Sequence, residues 1–142
     1  MTAQNDSSIE DVITDLEEGF ALFDDWEDRY RYLMDMGRDL APLAPEEMVE
    51  ANRVSGCQSR VWLVPRIEDG RVHLRAASDA AFVQGLLALV LRVLDGRRAE
   101  EIMATDAGFL TRLGLGEHLS LSRRNGVMAV LARIQAAAKA AL

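Results

Sequence analysis

The chain has one cysteine, three prolines and two histidines among its 142 residues, and aromatic side chains make up only 6% of it. A single cysteine cannot close an internal disulfide and fits a reducing compartment. One thiolate also falls short of the set that a cysteine-ligated zinc or iron–sulfur site requires. Neither metal nor cofactor is therefore expected in the purified protein. No apolar run is long enough to cross a bilayer: the longest, Leu86 to Leu91, is flanked by Gly85 and Arg92. The N-terminus lacks a basic segment followed by an apolar one, so no secretory leader is read there and a cytoplasmic location is expected, with no membrane partner. Positive charge is scarce too. Sixteen Lys and Arg stand against 23 Asp and Glu, a net charge of −7, which disfavours nucleic acid as a partner. The imbalance is uneven: before Arg29 there are only acidic charges, and after Glu117 only basic ones. We read a solvated acidic helix face and a basic last helix; the alternative is an acidic surface that steers a basic partner.

What is present is an apolar fraction of 49%, enough for a real core in a single domain spanning residues 1–142. Residues 1–6 read as a flexible tail. Ser7 with Glu10 forms a capping box, and Ile9, Val12, Ile13, Leu16 and Phe20 follow at helical spacing. Asp24 or Asp25 caps a second helix, with Trp26, Tyr30, Leu33, Gly37 and Leu40 on its buried stripe, and Pro42 and Pro45 stop it. A third helix, capped by Ser78 or Asp79, is apolar on nearly every side from Phe82 to Leu94 and is read as the central buried helix, closed at Gly96. Gly85 within it predicts close packing against a neighbour. Two short helices, Ala99 to Ala104 and Phe109 to Leu113, precede a last helix whose inner face is Val127, Leu131, Ile134 and Ala138.

Between the second and third helices the pattern changes to period two. A strand is predicted from about Arg60 to Ile67, then an Asp69-Gly70 hairpin turn, then a strand from Arg71 to Ala76 that buries Val72, Leu74 and Ala76 and exposes Arg71, His73 and Arg75. Pro65 lacks a ladder donor, so the first strand is an edge there or ends early. Two strands make a marginal sheet, and the only nearby candidate for a third is the region of Val54.

The lone cysteine, Cys57, stands just ahead of the first strand, after Gly56 and before Gln58 and Ser59. Gly56 lets the chain turn sharply, so the thiol is expected on a loop leading into that strand, partly shielded by apolar neighbours. A cysteine kept only for packing more often sits within an apolar element. With one thiolate, three roles remain: attack on a carbonyl, attack on a persulfide sulfur, or packing. A hydrolase needs a base beside the thiol and a group to orient that base. The two histidines are His73, on the wet face of a strand, and His118, in a loop, and neither lies in a protease signature. Persulfide acceptance asks only for a presented nucleophile and a place to dock.

The run from Asn52 to Trp62, N-x-V-x-G-C-Q-S-x-V-W, resembles the SufE family. So do Trp26, Glu27 and Tyr30 with Gly37 and Leu40, the run from Ser78 to Leu86, and the S-R-x-x-G pattern of Ser122, Arg123 and Gly126. The resemblance implies an α+β fold, a small antiparallel sheet packed against several helices, similar to the IscU-type scaffold proteins. It implies that Cys57 accepts sulfur from a pyridoxal-phosphate cysteine desulfurase of the SufS or CsdA type, stimulates that enzyme, and passes the sulfur to an iron–sulfur cluster scaffold. Gly56, Gln58 and Ser59 then form the active-site loop, and Arg123 could lie near it. Pro65 is a departure from the family pattern and bears on the length of the first strand. The other class is a binding module that regulates a desulfurase allosterically, with Cys57 incidental.

Overall fold

The structure, a computed structural model, describes residues 7–142; the expected tail at residues 1–6 lies outside the described residues. Two helices open the chain, α1 (Ile9–Ala21) and α2 (Trp26–Asp39). The cap of α1 is Ser8, whose hydroxyl accepts the Asp11 N–H at 3.0 Å, so the cap falls one residue after the Ser7 expected to form a box with Glu10. Either serine satisfies the sequence rule; which one is used depends on where the apolar face must point. Asp25 caps α2 by accepting from the Asp28 N–H at 2.9 Å. The acidic segment after α2 forms two single 3₁₀ turns, Pro45–Glu47 and Glu50–Asn52.

The sheet is antiparallel throughout, in the order β1 (Val61–Glu68), β2 (Arg71–Ser78), β3 (Arg97–Arg98). Asp69 and Gly70 make the hairpin turn with φ of 54° and 76°, the left-handed pair that matches strand twist. Strand β1 is an edge strand and runs through Pro65 without a break. Pro65 lies opposite Leu74, and the Leu74 N–H turns away from β1 to donate to Asp95 Oδ1 at 2.7 Å. In an antiparallel ladder both residues of such a pair point their polar groups outward, so the missing proline donor costs no ladder bond. The third strand is not the Val54 region, which contributes a single bridge, Arg53 to Trp62. It is Arg97–Arg98, returned to the sheet by the turn at Gly96. His73 is half-buried rather than wet, and its Nδ1 is enclosed without a hydrogen-bond partner.

Helix α3 (Ala81–Leu94) is the centre of the molecule, with nine residues from Gly85 to Leu94 buried. Its cap is Ala80, which makes no side-chain capping bond; Ser78 instead ends β2 and accepts the Ala80 N–H, and Asp79 serves another purpose described below. Helices α2 and α3 cross at glycine. A β-carbon on Gly85 would lie 2.5 Å from the Leu33 carbonyl oxygen, and one on Gly37 would lie 2.7 Å from the Gly85 nitrogen. Three short helices follow, α4 (Ala99–Met103), α5 (Gly108–Arg112) and α6 (Leu115–His118), then the long α7 (Leu121–Ala140). The predicted inner face of α7 is buried as read: Val127, Leu131, Ile134 and Ala138 all enter the core. The short α6 has no counterpart in the sequence reading.

Candidate functional site

The segment between the second 3₁₀ turn and β1 leaves the sheet at Val54 and returns at Val61, and its two ends are tied together. The Val54 N–H donates to the Val61 carbonyl at 2.9 Å. Arg60 is clamped by Asp79, which accepts its backbone N–H at 3.0 Å and its Nε at 3.0 Å. Arg133 from α7 donates to the Arg53 carbonyl at 3.1 Å. These ties hold the neck of the loop and leave Ser55 to Ser59 projecting. At the tip Gly56 has φ of 90°, a conformation that side chains disfavour. This is why Asp79 does not cap α3: its carboxylate is occupied by the loop neck, and the Arg60 guanidinium holds it below the usual aspartate range.

Cys57 follows the turn and lies over α7. Its Sγ sits 3.7 Å from the Gly126 carbonyl, within reach of a weak S–H donation. A β-carbon on Gly126 would come within 3.4 Å of the sulfur, so the glycine of the S-R-x-x-G pattern lets the thiol settle against the helix. Beneath the sulfur is a cavity of about 90 Å³. Its apolar walls are Val83, Leu86, Leu87 and Val90 from α3, Val127 and Val130 from α7, and Val61 from β1. Gln58, Ser59 and Ser122 stand at its polar side, and Arg123 is the one charged residue among its lining. The structure thus brings Cys57, Gln58, Ser59, Arg123 and Gly126 to one pocket, with Gly56 shaping the loop above it.

Burial pushes the Cys57 thiol up from its ordinary range, and the positive charge of Arg53 only partly opposes this. The resting group is the protonated thiol. Neither histidine lines the pocket. His118 ends α6 rather than lying in a loop, and its ring stacks on Trp26 at 3.8 Å. The carbonyl of His118 accepts the Tyr30 hydroxyl at 2.7 Å. A general base for carbonyl chemistry is therefore missing from the described pocket, whereas a shielded sulfur nucleophile is present.

The apolar walls were not singled out in the sequence as site residues. Their signal was available: Val83, Leu86, Leu87 and Val90 recur at helical spacing on one side of α3. A helix buried on nearly all sides offers no reason to prefer that stripe until the cysteine loop is placed over it. Asp79, Arg53 and Arg133 were missed for a plainer reason, since each acts through a contact distant in sequence.

The family model for SufE, described as an Fe-S metabolism associated domain, matches residues 14–138. An uncharacterised SufE-like protein of Rhizobium meliloti (strain 1021) is 39% identical over 141 residues, covering 96% of this chain and 98% of its own. The sulfur acceptor protein CsdE of Escherichia coli (strain K12) is 37% identical over 126 residues, covering 87% of this chain and 86% of its own. Among solved structures, the solution structure of a hypothetical protein from Thermus thermophilus superposes with a TM-score of 0.76 at 27% identity, covering 92% of this chain and 95% of that one.

Proposed function

The chain belongs to the SufE family, and from that premise we propose that Cys57 accepts sulfane sulfur from a pyridoxal-phosphate cysteine desulfurase and carries it to an iron–sulfur cluster scaffold. The observation that carries this reading is the placement of the only thiol on a necked loop over an apolar pocket whose lining includes one cation, Arg123. Cys57 first loses its proton to solvent. The thiolate then attacks the outer sulfur of a persulfide held on the donor protein. A new S–S bond forms at Cys57 Sγ, the donor's S–S bond breaks, and the electron pair leaves on the donor's cysteine sulfur, which takes up a proton. One persulfide is consumed and one is made, so no oxidant or reductant is needed.

Each feature of the site suits that exchange. The raised thiol pKa keeps the thiolate in the minority at neutral pH, so stray electrophiles react slowly and a docked donor is favoured by proximity. The cavity of about 90 Å³ has room for an added sulfur atom, since a water-sized atom needs only ~10–15 Å³ by the same measure. Gly56 turns the loop, and Gln58 and Ser59 form its polar side. Arg123 supplies the positive charge for the anionic sulfur that arrives and the thiolate that departs. With no second cysteine, the carrier cannot release its sulfur by closing a disulfide, so the sulfur leaves with another protein. Clearing the donor's persulfide in this way stimulates the desulfurase. The absence of any helix long and apolar enough to cross a membrane, among the described residues, suits a cytoplasmic setting.

Incubation with a desulfurase and cysteine, followed by mass spectrometry, tests this reading: Cys57 is expected to gain the mass of sulfur. Cys57→Ser should keep its melting temperature, because a hydroxyl also donates to the Gly126 carbonyl, and should gain no sulfur. It should compete with the wild type for the desulfurase without stimulating turnover. The second reading, a docking module with Cys57 incidental, draws on the same burial of the thiol. Full stimulation by Cys57→Ser would make it the better account.

A further inference from the structure

Most exposed arginines in this protein find a carboxylate. Arg31, Arg38, Arg60, Arg66, Arg75, Arg98 and Arg112 each make an ion pair. Arg123 differs. Among the described residues its guanidinium meets neither a carboxylate nor a carbonyl; its central carbon lies 4.5 Å from the centroid of the Phe82 ring. Phe82 is itself braced. Tyr30 meets it edge to face at 5.2 Å, and the Tyr30 hydroxyl is bonded to the His118 carbonyl, so the shelf is fixed to both α2 and α6.

The distinction matters chemically. An ion pair would hold the guanidinium by neutralising it and by occupying its N–H donors. An aromatic face attracts the cation through the ring quadrupole and leaves the charge and the in-plane donors available. We propose that Phe82 is a positioning residue: its ring holds the Arg123 guanidinium at the edge of the Cys57 pocket, uncompensated and ready for an anionic sulfur species. This rests on the reading of Cys57 as a sulfur acceptor with Arg123 as the cation that serves it. Phe82 touches no reacting atom in this account and acts only through Arg123.

Thiol–disulfide exchange at Cys57 is the same displacement at sulfur and needs no desulfurase. The probes are a dianionic aromatic disulfide, 5,5′-dithiobis(2-nitrobenzoate), and a neutral one, 4,4′-dithiodipyridine. In each, the Cys57 thiolate forms a mixed disulfide and an aryl thiolate leaves. The ratio of the anionic to the neutral rate reports the charge held at the pocket edge. Phe82→Leu should lower that ratio roughly fivefold, the equivalent of a cation–π contact of ordinary strength. Phe82→Trp should restore it. Arg123→Ala should lower it at least as far, and adding Phe82→Leu to Arg123→Ala should change nothing more. A purely structural role for Phe82 would move both rates together and leave the ratio alone. An unchanged ratio in Phe82→Leu, or a further fall in the double variant, overturns the proposal. The carrier reading fails separately, if a desulfurase leaves no sulfur on Cys57 of the wild type.

Discussion

Two of the glycine contacts that position the site are of different kinds. Where α2 crosses α3, Gly37 and Gly85 face backbone: β-carbons there would meet the Gly85 nitrogen at 2.7 Å and the Leu33 carbonyl at 2.5 Å. Where the cysteine loop lies on α7, the corresponding distances are 3.6 Å from Gly56 to the Ala129 side chain and 3.4 Å from Gly126 to the Cys57 sulfur. The first contact is between two helices of the core, neither of which can shift without disturbing the other's packing. The second is between a helix and a loop that is tied at its neck and touches the helix through a weak S–H donation. The fold therefore places its tightest backbone contact in the scaffold beneath the pocket and leaves the thiol on a loop held mainly at its neck.

The largest expected effect comes from breaking the rigid contact. Gly85→Ala must force α2 away from α3, and we expect a loss of about 3 kcal/mol or outright failure to fold, at the upper end of overpacking costs. Urea unfolding of the variant measures it, and a loss below about 1 kcal/mol, the lower end of those costs, would mean that the crossing is as yielding as the loop contact.

A smaller effect sharpens the difference at the loop. Burial raises the Cys57 pKa in the folded chain. Alkylation by iodoacetamide should then reach half its limiting rate at a higher pH in the native protein than in urea, where a free cysteine titrates near about 8.5. The consequence for stability has a definite sign. The unfolded thiol ionises first, so this group's contribution to stability is fully present below its unfolded pKa and is lost as pH rises through its folded one. Coincident midpoints in the two states would show that the pocket does not shield the sulfur.

The smallest effect on stability is expected for Gly126→Ala. Alanine is the better helix former by about 1 kcal/mol, and the sulfur and its loop need give way by only a few tenths of an ångström. Unfolding free energy should stay within about 1 kcal/mol of wild type, since the propensity gain offsets the crowding. Sulfur loading of Cys57 should nonetheless slow several-fold, because the methyl group displaces the thiol from its seat. A variant as destabilised as Gly85→Ala would erase the contrast between the two contacts.

Much of the scaffold is legible in the chain because it depends on local rules. The helix of Ile9, Val12, Ile13, Leu16 and Phe20, the Asp69-Gly70 turn and the alternation of Val72, Leu74 and Ala76 each follow from side-chain periodicity and turn geometry. Gly85 in an otherwise apolar helix announced a close approach, although not with which partner. The position of Cys57 on a loop ahead of β1 was likewise local. Other features had no local sign. Strand β3 is two residues long, too short for any alternation, and one of them is an arginine that is only 2% exposed. The choice of Ser8 over Ser7, and the diversion of Asp79 from a helix cap to the loop neck, were decided by partners elsewhere in the fold.

The sequence by itself determined the longer helices, the β1–β2 hairpin and its turn, the central place of α3, and the presence of one thiol beside a glycine on a loop. Those properties are set by each residue's backbone preferences and by the spacing of apolar side chains. Only the tertiary structure decided what that thiol faces. Packing brought residues from α3, β1 and α7 into one wall beneath Cys57, and set Arg123 on an aromatic ring from another helix rather than on a carboxylate. Burial and charge at a site are sums over neighbours in space. Neighbours supplied by three separate elements cannot be read along a chain until the fold has put them side by side.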